Sequence, residues 1–131
     1  MNELKNNSLA LAQEAVKILL EKQGIDVKLY DVRECESITD FYIVVTGRSL
    51  THLASLSDDM VEILESKDVS ATRVEGKRGN SWILVDYIDV IVNIFDKEAR
   101  NFYNFERLMP PDSELDITEL VKEVDNKFEI N

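Results

Sequence analysis

Apolar and polar positions alternate in two periods along this chain. Residues 3–23 carry Leu4, Leu11, Ala12, Ala15, Val16, Leu19 and Leu20 at helical spacing, with Gly24 as a C-terminal stop. Ile25 to Val32 alternates with period two and predicts a first strand; Phe41 to Thr46, stopped by Gly47, predicts a second and largely buried one. Leu53, Leu56, Met60, Ile63 and Leu64 form the stripe of a helix from about Leu50 to Lys67, which Ser49 or Thr51 can cap. Residues 71–75 predict a short exposed strand, followed by a glycine-rich turn over 76–80. A short helix from Lys97 to Tyr103 and the segment 105–109 close the domain.

The strongest strand signal is Ser81 to Phe95, two β-branched runs over 81–86 and 89–95 joined at Tyr87-Ile88. A hairpin closing there sets residue 86 opposite 89, 84 opposite 91 and 82 opposite 93. Ile83, Val85, Val90, Val92 and Ile94 then share a wholly apolar face, which must lie under helices. The other face carries Trp82, Leu84, Asp86, Asp89, Ile91, Asn93 and Phe95. It is too apolar for plain solvent surface and too polar for ordinary core. Either a short helix or the tail covers it, or a partner does. Asp86 and Asp89 face each other in this register and repel, unless a basic residue such as Arg100 or Arg78 compensates or water solvates the turn.

The order α-β-β-α-β-β-β-α predicts an α/β (α+β) fold with a mixed five-stranded sheet. Pro110-Pro111 is the one clear boundary signal, dividing a domain over 1–109 from an acidic tail over 110–131. The tail from residue 112 holds seven acids against two lysines. Ile117, Leu120, Val121, Val124 and Phe128 give it a helical stripe, free to dock on the domain, meet a partner or stay mobile.

Composition narrows the function. With 131 residues, 44% hydrophobic and 31% charged, the chain is an ordinary globule of one domain. No run approaches the about 18 apolar residues of a membrane span, and the amino terminus lacks the pattern of a signal peptide. One cysteine, Cys35, excludes an internal disulfide and fits a reducing compartment, the cytoplasm. A net charge of −11 argues against unassisted nucleic-acid binding and suits a basic protein partner.

Candidate chemistry is sparse. His52 and Cys35 stand alone in their kinds, so zinc binding and a Cys-His pair lack support. The turn Gly47-Arg48-Ser49 before a helix suggests a phosphate-holding loop, and with Asp86 and Asp89 would make a magnesium-dependent nucleotidyl transferase. Those acids lie across a turn, however, and not two apart on one strand.

The run Ser37-Ile38-Thr39-Asp40-Phe41-Tyr42-Ile43-Val44-Val45-Thr46-Gly47, then Glu75-Gly76, then Trp82 through Phe95, resembles the ribosomal silencing factors, or Iojap-like proteins. Glu98, Arg100, Phe102-Tyr103, Glu106 and Leu108 extend the match over about residues 4–109. The resemblance implies a nucleotidyltransferase-like fold without catalysis or cofactor. It also implies a protein that binds ribosomal protein fourteen of the large subunit and blocks subunit joining. The expected partner-binding residues are Glu75, Trp82, Leu84, Asp86, Tyr87, Asp89, Asn93 and Arg100, in a monomer or weak homodimer. The chain departs from the family in having Ile88 for a usual Gly, Asn93 for His and Met109 for Trp. Ile88 should avoid the left-handed backbone of a tight turn, which points to another turn type.

Overall fold

The computed structural model describes residues 3–76 and 79–129. Lys77 and Arg78 of the expected turn, and the Phe128 side chain of the expected tail stripe, lie outside the described residues. The helical pattern at the start is split into α1 (Glu3–Asn6) and α2 (Ser8–Glu21). Asn7 breaks it: its backbone is extended, and its side chain accepts a 3.0 Å hydrogen bond from the Ala10 N–H as the cap of α2. Gln23, at φ +67°, takes the left-handed turn expected of Gly24. Gly24 serves close packing instead, since a Cβ there would sit 2.7 Å from Val45 Cγ2 and 2.9 Å from the Leu19 carbonyl oxygen.

Strands β1 (Ile25–Asp31), β2 (Phe41–Thr46), β3 (Arg73–Glu75), β4 (Trp82–Asp86), β5 (Val90–Phe95) and β6 (Glu114–Leu115) form one sheet in the order β3-β4-β5-β2-β1-β6. Only β2 and β5 run parallel; the other neighbours are antiparallel. The sheet therefore has six strands, not five. The sixth is a two-residue strand from the tail, too short to leave a period in the sequence. It pairs with β1, and α5 (Thr118–Glu129) then packs on α2 through buried Val124 and the pairs Lys17–Glu123 at 3.3 Å and Lys127–Glu21 at 3.2 Å. Of the fates open to the tail, docking is the one observed.

One sheet face carries Phe41, Ile43, Val45, Ile83, Val85, Val90, Val92 and Ile94, all buried under α2 and α3 (Leu50–Ser66). Those helices contribute Val16, Leu19, Leu53, Leu56, Met60 and Leu64. At about 1.5–3 kcal/mol for each large side chain, this layer is the main source of stability. The opposite face holds a smaller core of Tyr30, Val44, Phe95 and Ala99, under α4 (Lys97–Tyr103) and the 3-10 turn Phe105–Leu108. Asp96 caps α4 by accepting from the Ala99 N–H at 2.7 Å.

The hairpin register differs from the expected one by two residues. Trp82 pairs with Phe95, Leu84 with Asn93 and Asp86 with Ile91. Tyr87 and Val90 close the loop through a 2.9 Å hydrogen bond, leaving Ile88-Asp89 as its tip. A slip of two keeps every strand residue on its expected face, because the side-chain period is two. It does separate Asp86 from Asp89. The turn also overrules the expectation for Ile88, which has φ +74° with the Asp89 N–H bonded to the Tyr87 carbonyl at 2.9 Å. That is a γ-turn of the strained hand. The Asp86 carboxylate holds it by accepting from the Ile88 N–H at 2.7 Å. The Asp40 and Phe41 N–H groups both reach the Asp89 carbonyl at 3.1 Å. Ile88 is solvent-exposed, so glycine loses little packing there. Ile88→Gly is expected to raise stability by up to about 1 kcal/mol, relief of strain exceeding the added freedom of the unfolded chain. Denaturant unfolding checks this, and a lower midpoint would contradict it.

Candidate partner-binding face

Helix α4 and the 3-10 turn cover only part of the second sheet face. The remainder is a shallow groove of about 600 Å³ lined by Glu75, Gly76, Gly79, Asn80, Ser81, Trp82, Leu84 and Tyr103. Its wall is aromatic. The Trp82 ring lies 4.9 Å from Phe95 beneath it and 4.9 Å from Tyr103 beside it, and Tyr103 meets Phe102 edge-on at 5.1 Å. Phe102 is 81% exposed, an unusual state for a ring that packing could have hidden. The Trp82 indole N–H donates to Asn93 Oδ1 at 3.0 Å, which fixes the ring's orientation. Phe102 and Tyr103 were not among the expected contact residues. The signal available was two adjacent aromatics ending a short helix that can bury only one side.

Of the expected partner-binding residues, the structure brings Glu75, Trp82 and Leu84 together, with Asp86 two residues farther along β4 on the same face. It removes four others from this surface. Asn93 is fully buried beneath Trp82, and its Nδ2 has no hydrogen-bond partner among the described residues. Tyr87, just past β4, points into the main core because it continues the alternation of Ile83 and Val85 and its N–H bonds the Val90 carbonyl. Burial, and next the charge of Glu65, push its hydroxyl well above the ordinary tyrosine range. Asp89 is exposed at the hairpin tip, at the far end of β4 from Trp82.

Arg100 is buried on the internal side of α4. Its Nε and Nη2 donate to the two Glu106 oxygens at 2.8 and 3.1 Å, and Nη1 donates to the Asp26 carbonyl at 2.7 Å and Thr46 Oγ1 at 2.9 Å. These bonds tie α4 and the 3-10 turn to β1 and β2. The Arg100 hydrogen bonds hold the Glu106 carboxyl below the usual carboxylate range, against the opposing effect of burial. The Tyr30 hydroxyl donates to Glu106 at 3.2 Å and is raised well above its ordinary range, by burial first and then by that carboxylate. Among the described residues the base that answers Asp86 is Arg73, at 3.2 Å, and not Arg100; Arg73 also pairs with Glu75 at 2.9 Å, while Arg78 lies outside the described residues.

The trio considered for nucleotidyl transfer is not assembled. In the parallel pair, Phe41 stands opposite Val90 and Thr46 opposite Phe95. Ser49 follows the end of β2 while Asp89 precedes the start of β5, so roughly 20 Å of strand separates them. The start of α3 is answered by its own residues. Ser49 accepts from the His52 N–H at 3.1 Å, and His52 Nδ1 accepts from the Arg48 N–H at 3.0 Å. Among the described residues, no group of three His, Cys, Asp or Glu could hold a metal ion. Cys35 is exposed in the loop after β1. No described helix is long and apolar enough to cross a membrane.

Comparison with known proteins points to one family. The family described as "Ribosomal silencing factor during starvation" matches residues 5–130. The ribosomal silencing factor RsfS of Haemophilus influenzae is 32% identical over 100 residues, 76% of this chain and 98% of that protein. Protein Iojap, chloroplastic, of Zea mays is 34% identical over 98 residues, 75% of this chain and 42% of that one. A crystal structure of a Chromobacterium violaceum protein superposes with a TM-score of 0.74 at 26% identity, covering 80% of this chain and 90% of that one. The family match spans the sheet, both helical layers and the docked tail alike, and this chain belongs to the ribosomal silencing factors.

Proposed function

We propose that this chain binds ribosomal protein fourteen of the large subunit, blocks joining of the small subunit by occupying its docking face, and so represses translation in the cytoplasm. The observation that carries the reading is the groove walled by Trp82, Tyr103 and Leu84 on a sheet face left partly uncovered. An aromatic anchor in a partly desolvated setting with polar neighbours is the usual make-up of an interface centre. The charge of −11 speeds encounter with a basic ribosomal protein and disfavours direct contact with ribosomal RNA. Obstruction of this kind requires no catalysis and no cofactor.

Sedimentation of purified subunits with added protein tests the reading. The expected result is a falling yield of joined ribosomes and protein co-migrating with large subunits. Undiminished joining at saturating protein would sink it. Incubation with labelled nucleoside triphosphates and magnesium addresses the rival: turnover abolished by Asp86→Asn would favour a transferase.

A further inference from the structure

Strand β3 ends the sheet on its side, and all three of its residues are exposed. Exposed edges are commonly blunted by short length, charged side chains, proline or a bulge; β3 is short, but its two charges, Arg73 and Glu75, pair with each other on one side and leave the centre uncharged. Here the central residue is Val74, 46% exposed, with no register shift against β4. Each side of this edge opens onto a groove. Arg73 and Glu75 lie on the Trp82 side, where Glu75 borders the aromatic groove. Val74 turns to the helix side. There it and Val61 of α3 form the apolar floor of a second groove, about 580 Å³, rimmed by Asp58, Glu62 and Glu65. Glu62 and Glu65 are exposed, and neither has an ion-pair partner among the described residues.

We propose that β3 accepts an extended, basic segment of a protein partner as a seventh strand, which rests on and deepens the ribosomal reading above. Main-chain pairing to the open edge supplies affinity, and the two grooves read alternate side chains. On the helix side the incoming strand presents an apolar residue to Val61 and Val74, with flanking lysine or arginine meeting Glu62 and Glu65. On the other side its intervening residues lie beside Glu75 and Trp82. The rim carboxylates repel phosphate, so the occupant is polypeptide and not RNA.

The test uses purified large subunits, the full-length protein, and two surface variants, Val74→Lys and the double variant Glu62→Lys/Glu65→Lys. Thermal unfolding of both should match wild type, since these side chains are exposed. Each variant should bind subunits at least tenfold more weakly. Amide exchange at residues 73–75 of the wild-type protein should slow at least tenfold in the complex. Wild-type binding by both variants, while Trp82→Ala loses it, removes β3 from the interface and leaves the sheet-face reading intact. Weakened binding without amide protection overturns strand addition. Protection of β3 in concentrated protein alone, with doubled mass by light scattering, assigns the edge to a second copy and overturns the proposal. Failure of the wild type to bind subunits removes this inference and the functional reading together.

Discussion

Arg100→Met is expected to cost about 3 kcal/mol at pH 7, the largest effect of any single change outside the main core. Removing one partner of a buried ion pair costs about 3–5 kcal/mol, chiefly because the other charge is left uncompensated. The lower figure applies because the Glu106 side chain keeps 25% of its surface in water while that of Arg100 keeps 8%. Methionine matches the stem of arginine but removes the guanidinium from the Asp26 carbonyl, from Thr46 Oγ1 and from Glu106, which keeps only the Tyr30 hydroxyl as a side-chain donor among the described residues. Lysine is no rescue, since one ammonium cannot span both Glu106 oxygens and two further acceptors. The effect depends on pH with a definite sign. The Glu106 pKa is depressed in the folded protein, so its contribution is fully present above the unfolded carboxylate value of about 4.3. That contribution is lost as pH falls through the lower folded value. The gap between wild type and variant should therefore be widest near neutrality and narrow below about pH 4. Urea unfolding at a series of pH values measures it, and a gap unchanged from pH 7 to pH 3 would contradict the account.

Trp82→Ala should act on both stability and binding. A fully buried tryptophan cut to alanine costs about 3–5 kcal/mol, and the half-buried Trp82 should cost about 2. The loss comes from its packing on Phe95 and Tyr103 and from its hydrogen bond to Asn93. Binding to large subunits should fall at least tenfold, about 1.4 kcal/mol, since truncated aromatic anchors often cost ~2 kcal/mol or more. Trp82→Phe separates the two contributions, keeping a ring on Phe95 while freeing Asn93 Oδ1. A Trp82→Ala protein that melts far earlier yet binds normally when folded would return this residue to a purely structural role.

Where the sequence was legible, one period dominated a long enough run. The stripe Leu53, Leu56, Met60, Leu64 reads as a helix face because 3.6-residue spacing is sustained over about three turns. Ile83, Val85, Val90, Val92 and Ile94 read as one buried face because alternation survives a register error of two residues. For the same reason the groups pointing away from that core, Trp82, Leu84 and Asp86, could be placed on a shared face without knowing how the hairpin closes. Motif residues from Ser37 to Leu108 carried the family likeness independently of any of this.

What escaped it were choices made between elements far apart in the chain. Arg100 looks like a surface charge on an isolated helix. It is buried because Glu106, Thr46 and the Asp26 carbonyl converge on it from three other segments, and four hydrogen bonds offset the loss of water. Asn93 alternates to the partner side as expected, yet Trp82 lies over it and closes it off. Tyr87 turns inward to the core because Asp86, Asp40 and Phe41 hold the loop around Ile88 in a conformation that isoleucine would not choose locally. Two residues of tail become a strand because β1 offers them an open edge. Local periodicity thus determined the helices, the main strands and which side chains share a face. Tertiary packing alone decided how much of the second face was covered, and so which residues are left for a partner, because burial depends on what arrives from elsewhere in the chain.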